Sequence, residues 1–96
     1  MFEPPKIRVS PTGTKSWHND AGPHRTDGPA IEWSNGTKEW WLNGKRHRSD
    51  GPAVDRNKGS KEWWLCGKPV SWREVYRQAN DPETELRILL AALTIS

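Results

Sequence analysis

The chain has a single cysteine, Cys66, so it cannot close an internal disulfide. That usage fits a reducing compartment. Phenylalanine, tyrosine and methionine occur once each, and leucine, isoleucine and valine are sparse before Val70. An ordinary aliphatic core is therefore excluded over the first two thirds of the chain. Long apolar runs are lacking too. The longest, Ile88-Leu89-Leu90-Ala91-Ala92-Leu93, is far shorter than the roughly 20 residues that span a bilayer. The opening residues Met1-Phe2-Glu3-Pro4-Pro5 lack the basic and apolar regions of a secretory leader. The expectation is a soluble, cytoplasmic protein. Charge of one sign does not dominate either: 15 basic and 12 acidic residues leave a net +3. A mild basic excess admits acidic partners, whether protein or nucleic acid.

What the chain has instead is tryptophan, seven in 96 residues. Each indole can bury roughly 150–250 Å². A short chain has little core to spend, and broad flat side chains suit a thin sheet.

The tryptophans fall in a repeat. Gly36-Thr37-Lys38-Glu39-Trp40-Trp41-Leu42-Asn43-Gly44-Lys45 returns 23 residues later as Gly59-Ser60-Lys61-Glu62-Trp63-Trp64-Leu65-Cys66-Gly67-Lys68. His24-Arg25-Thr26-Asp27-Gly28-Pro29-Ala30-Ile31 returns at the same offset as His47-Arg48-Ser49-Asp50-Gly51-Pro52-Ala53-Val54. An eroded earlier copy begins at Gly13-Thr14-Lys15-Ser16-Trp17, and its later half has lost the Trp-Leu-Asn-Gly core. Such self-similarity means that each unit is one supersecondary element stacked on the next, with a divergent outermost copy as a cap.

Each unit reads as short strands and tight turns. Asn35-Gly36 and Asn43-Gly44 have the composition of two-residue hairpin turns. Asp27-Gly28-Pro29 and Asp50-Gly51-Pro52 are sharper breaks. With two-residue turns, Ile31 stands opposite Trp40, Trp33 opposite Lys38, and Trp41 opposite Arg46. Alternation then sorts two faces. Ile31, Trp33, Trp40, Leu42 and His47, with Val54, Trp63 and Leu65, form the expected core face. Glu32, Glu39, Trp41, Arg46 and Arg48, with Asp55, Glu62 and Trp64, form the other.

The period changes after Val70. Ser71-Trp72-Arg73-Glu74 has the form of a capping box. Trp72, Val75, Tyr76 and Ala79 keep helical spacing. Asp81-Pro82 starts a second helix with Leu86, Leu89, Leu90 and Leu93 as its apolar stripe. Ile88 and Ile95 lie off that stripe and read as core edge rather than dimer contact. The expected fold is α+β within one domain. Residues 1–12 are an irregular N-terminus or an edge strand through Ile7 to Val9. Residues 13–70 form an antiparallel meander of 23-residue hairpin repeats. Residues 71–96 are helices packed on one sheet face.

These motifs resemble a repeat common in uncharacterised bacteriophage and prophage proteins. That repeat alternates a His-Arg-x-Asp-Gly-Pro-Ala element with a Gly-x-Lys-x-Trp-x-x-Asn-Gly-Lys element, and is distantly similar to MORN repeats. The resemblance covers residues 13 to about 70. It implies a hairpin array and a phage origin, hence a bacterial host cell, and no catalytic activity carries over with it. Two good copies and a helical tail depart from a long-array scaffold and point to a compact binder. Phage proteins of this kind often act on host machinery, including CRISPR–Cas and other defence systems.

His24 with Asp27 and His47 with Asp50 could suggest acid–base chemistry. Catalysis, however, needs an asymmetric constellation, and a motif duplicated at equivalent positions points to structure. Asp is expected to hold its own turn, and His to pack on a neighbouring Trp. His18, His24, His47 and Cys66 lack metal-ligand spacing, so no metal or cofactor is expected. Trp41, Trp64, Arg46 and Arg48 form the candidate binding set. Trp and Arg dominate protein-interface hot spots, and they also stack on and neutralise single-stranded nucleic acid. The leading expectation is a non-enzymatic phage-type protein, monomer or weak homodimer, that engages a host protein. The alternative is a nucleic-acid-binding module using the same face. Acidic residues on that face argue against a membrane surface.

Overall fold

The computed structural model describes residues 4–93. Ten short strands precede two helices: β1 (Lys6–Val9), β2 (Lys15–Asn19), β3 (Gly22–Pro23), β4 (Ile31–Glu32), β5 (Lys38–Glu39), β6 (Trp41–Leu42), β7 (Lys45–Arg46), β8 (Val54–Asp55), β9 (Lys61–Leu65), β10 (Lys68–Val70), α1 (Trp72–Gln78) and α2 (Pro82–Leu93). The main sheet runs β1-β2-β4-β5-β8-β9-β10, with β3 also on β2 and β6 and β7 paired apart. Every pairing is antiparallel. The fold is α+β, as expected, and β1 lies at the sheet edge, one of the two alternatives for the N-terminal residues.

Each repeat divides its Lys-Glu-Trp-Trp-Leu segment between two jobs. The first half pairs in the main sheet, and the second half pairs with its own return strand. The divergent first copy keeps this geometry without keeping the sequence. Asn19 stands opposite Gly22 as Leu42 stands opposite Lys45, and the His24 amide donates to the Trp17 carbonyl as that of His47 does to Trp40.

The two Asn-Gly turns differ. At Asn43-Gly44 both residues have positive φ, 49° and 79°. This is the two-residue turn expected, and Trp41 faces Arg46 across it. At Asn35-Gly36 only the glycine does. The Trp33 amide donates to the Thr37 carbonyl, enclosing a three-residue loop of Ser34, Asn35 and Gly36 with the bulge glycine last. The extra loop residue slides the register by one, so Ile31 stands opposite Glu39 and not Trp40. A one-residue slip moves a strand's whole side-chain set to the other face. Ile31, Trp33 and Val54 therefore lie on the Glu39–Trp41 side, opposite to their expected face.

One row of the sheet carries alternating charge. Lys15 stands opposite Glu32, Glu32 opposite Lys38, Lys38 opposite Asp55, and Asp55 opposite Lys61. Opposite charges across a ladder stabilise it and like charges destabilise it, so this row penalises any one-residue slip of the inner strands.

The repeated His-Arg-x-Asp-Gly-Pro-Ala element ties units together. The Arg25 guanidinium lies 3.9 Å over the Trp17 ring, and that of Arg48 lies 3.6 Å over Trp40. Each Nε donates to the Asp two residues on, at 2.9 and 2.8 Å, and each Nη1 donates to the carbonyl of Pro29 or Pro52. Each histidine reaches the following repeat. His24 Nδ1 accepts the Asn43 amide at 2.9 Å, and His47 Nδ1 accepts the Cys66 amide at 3.0 Å. The aspartates thus orient the arginines of their own turns, and the histidines cap the next turn through its backbone amide. Stacked turns approach so closely that a Cβ on Gly44 would lie 2.2 Å from the Ala21 carbonyl oxygen.

Ala30, Ala53 and Val54 are buried within the repeats, and the larger apolar cluster sits at the C-terminal end. Trp63, Val75 and Ile88 are buried together, with Leu65, Val70, Trp72, Tyr76, Ala79, Ala91 and Ala92 around them. The helices cover the third repeat's Trp63, not the whole sheet face. Most of the leucine stripe expected to face the core turns outward: Leu86, Leu90 and Leu93 are 56%, 57% and 76% exposed, Leu89 is half-buried, and Ile88 is fully buried. Small Ala91 and Ala92 let α2 approach beside Ile88, where leucines would hold it off. Ile95 lies outside the described residues. Ser71 makes no side-chain cap: the Glu74 amide donates to the Ser71 carbonyl, and the Glu74 carboxylate goes to Arg77 and Gln78. Asp81 does cap α2, accepting the Thr84 amide, and hydrogen bonds from the Thr84 hydroxyl and amide hold its carboxyl below the usual range.

Candidate functional site

Three of the four expected binding residues come together. Trp41 on β6 stands directly opposite Arg46 on β7, and Trp64 follows from the next repeat on β9. The Arg46 guanidinium carbon lies 5.1 Å from each indole centroid. A planar cation between two aromatic faces is the preferred arrangement of those groups. Arg48 is elsewhere. The chain leaves the strand after Arg46 and bends, which carries Arg48 onto Trp40 and into the separate hollow lined by Arg25, His47 and Thr84. It serves the fold, and its expected place beside Trp41 is not observed.

Beneath the ladder lies a carboxylate that strand alternation alone left on the surface. Glu39 is only 7% exposed. It accepts the indole N–H of Trp33 at 2.6 Å and of Trp41 at 3.0 Å, and Arg46 Nη2 at 3.4 Å. Burying a carboxylate is costly unless it is paired and hydrogen-bonded, and here three donors converge on it. Glu62 repeats the arrangement with Trp64 and Arg56. The Arg56 and Trp64 hydrogen bonds hold the Glu62 carboxyl below its ordinary 4.5. The repeat explains the pattern: Glu two residues before Trp on a strand shares its face, so each indole N–H meets its own carboxylate. That Glu-x-Trp spacing was the available signal.

Of the acidic residues expected on this face, Glu32 and Asp55 have moved with the register to the opposite one, where they pair with Arg25 and Lys61, and Glu39 and Glu62 are engaged as described. The groove itself is cationic. It has a volume of about 420 Å³, and Lys45 and Lys68 stand exposed at its rim beside Trp41, Arg46 and Trp64. Arg46 Nε is buried without an acceptor, a costly state for a charged donor. Two features mark this spot as a departure from the repeat. The position of Arg46 is proline in the neighbouring copies, Pro23 and Pro69, and that of Trp41 is His18 in the first. Residues that recur in every repeat hold the array together, whereas Arg46 occurs once.

Both motif histidines act as backbone acceptors, and among the described residues no group of three or more His, Cys, Asp or Glu is placed to hold a metal ion. Among those residues, too, no helix is long and apolar enough to cross a membrane. Comparison with protein-family models, curated proteins and solved structures finds no match to the chain.

Proposed function

We propose that the chain is a non-enzymatic binding protein that engages a protein partner through the groove formed by Trp41, Arg46 and Trp64. The observation that carries this reading is Arg46, held between two half-buried indoles with one buried N–H lacking an acceptor. Trp and Arg in such a setting are the residues that anchor interfaces when a partner removes the remaining water. An acidic side chain entering the groove would meet Lys45, Lys68 and the exposed part of the Arg46 guanidinium together. The phage-type resemblance of the repeat supports a bacterial host protein as the partner, and a defence complex such as CRISPR–Cas is the finer form of that proposal. A single-stranded nucleic acid is the second reading. It is favoured by the same stacked indoles and by the engagement of Glu39 and Glu62 inside the molecule, and would use the lysines for phosphates.

The two readings separate by affinity capture and salt. Wild-type protein and the Trp41→Ala/Arg46→Ala/Trp64→Ala variant, checked for folding by circular dichroism, are used to capture proteins from bacterial lysate. The captured protein is then purified and titrated against both. A loss of at least tenfold in affinity, with Arg48→Ala near wild type, is the expected result. Unchanged affinity in the folded triple variant removes the groove from the interface. Binding of a single-stranded oligonucleotide that falls steeply with ionic strength, with no protein captured, establishes the second reading instead.

A further inference from the structure

The two edges of the main sheet are built differently. At one edge β10 carries Pro69, which has no amide to donate to a further strand, and the chain then turns directly into α1. At the other edge β1 reads Lys6-Ile7-Arg8-Val9, with every residue exposed and no proline. Among the described residues no strand lies beyond it. An open, exposed edge with apolar side chains is a template for another strand, and Ile7 and Val9 are 53% and 62% exposed.

The side chains of β1 say what that strand would be. Ile7 stands opposite Trp17 and Val9 opposite Lys15, on one face; Lys6 stands opposite His18 and Arg8 opposite Ser16, on the other. A second copy of the chain fits badly. Antiparallel pairing of β1 with itself that matches Ile7 and Val9 to apolar neighbours puts Lys6 or Arg8 against another Lys6 or Arg8. Like charges directly opposite destabilise a ladder. The pairing that satisfies both faces is with a strand that alternates acidic and apolar residues.

We propose that β1 is a strand-addition site, and that its occupant is an extended segment of a partner protein with alternating acidic and apolar side chains. Backbone hydrogen bonds along β1 supply affinity in such a complex, and the alternate side-chain positions supply selectivity. Lys6 and Arg8 then act in two directions, excluding a second copy and recruiting the acidic strand. The site is separate from the Trp41–Arg46–Trp64 groove and stands or falls independently of it.

The test uses the full chain and three capped synthetic peptides: alternating glutamate and valine, the same residues in two blocks, and alternating lysine and valine. Affinity is measured by titration calorimetry and location by amide hydrogen exchange. The expected result is at least tenfold tighter binding of the alternating acidic peptide than of the block peptide, with exchange slowed at residues 6–9. The Lys6→Glu/Arg8→Glu variant should lose that preference and favour the lysine peptide. Equal binding of the two acidic peptides would reduce the effect to bulk charge and overturn the proposal. Absence of binding, or protection confined to the tryptophan groove, overturns it equally.

Discussion

Trp40 and Trp63 occupy the same position in successive repeats, 23 residues apart, yet they are covered by different chemistry. Trp40 is capped by the Arg48 guanidinium at 3.6 Å, which is itself held by Asp50 and the Pro52 carbonyl. Trp63 has no such arginine, because Ser71 stands where that residue would be. It is capped by Val75 and Ile88 from the two helices. The first solution is encoded within the repeat and leaves the ring half-buried. The second is encoded outside it and buries the ring. A flat indole on a thin sheet thus needs a lid, and a planar cation serves wherever a second layer is missing.

The sharpest way to break this comparison is to remove each ring. Trp63→Ala should cost about 3–5 kcal/mol, the usual loss for a buried tryptophan in a packed core. Trp40→Ala should cost about 2 kcal/mol, since its cap is a partly solvated cation. Denaturant midpoints at constant slope measure both, and equal losses would mean that the two lids are energetically the same.

A smaller effect tests the cation itself. Arg48→Ala should cost about 1–2 kcal/mol through the stack and the Pro52 hydrogen bond. Arg48→Lys should recover less than half of that, because an ammonium keeps the charge but not the planar fork. Full recovery by lysine would show that charge alone matters there.

The smallest effect concerns the carboxylate beneath the third repeat. The Arg56 and Trp64 hydrogen bonds lower the Glu62 pKa in the folded state. A depressed carboxylate contributes stability above its unfolded value, about 4.5, and that contribution is lost as pH falls through the lower, folded value. Urea midpoints followed downward from neutral pH should therefore drop below about pH 4.5, and Glu62→Gln should flatten that part of the curve. An unchanged acid limb in the variant would assign the loss to other carboxylates.

Much of this architecture was legible from the repeat. The 23-residue period located the strands, the Asn43-Gly44 turn, and the pairing of Trp41 with Arg46. The Asn35-Gly36 turn was not legible, because the same dipeptide serves both a two-residue turn and a three-residue loop with a bulge. Choosing the shorter loop moved Ile31, Trp33 and Val54 to the wrong face. The buried side of α2 was hidden for a related reason. Leucines at helical spacing look like a core stripe, and only the close approach of Ala91 and Ala92 shows that the helix packs on its smaller residues. Arg48, by contrast, could have been set aside from the sequence. Its counterpart Arg25 stands in the preceding copy within the same His-Arg-x-Asp-Gly-Pro-Ala motif as the histidines, and each arginine lies over its own unit's tryptophan.

The alternating row from Lys15 to Lys61 has one further property. Lys38 faces an acid on both sides, Glu32 from its own hairpin and Asp55 from the next. The row therefore looks the same after one whole unit is inserted or removed. Duplication of a 23-residue segment would leave every contact at both ends intact. Since each unit contributes two strands at about 4.8 Å apiece, each duplication would move β1 about 10 Å further from the helices. Gene length in such a lineage becomes a ruler, setting the spacing between two attachment points without redesign of either.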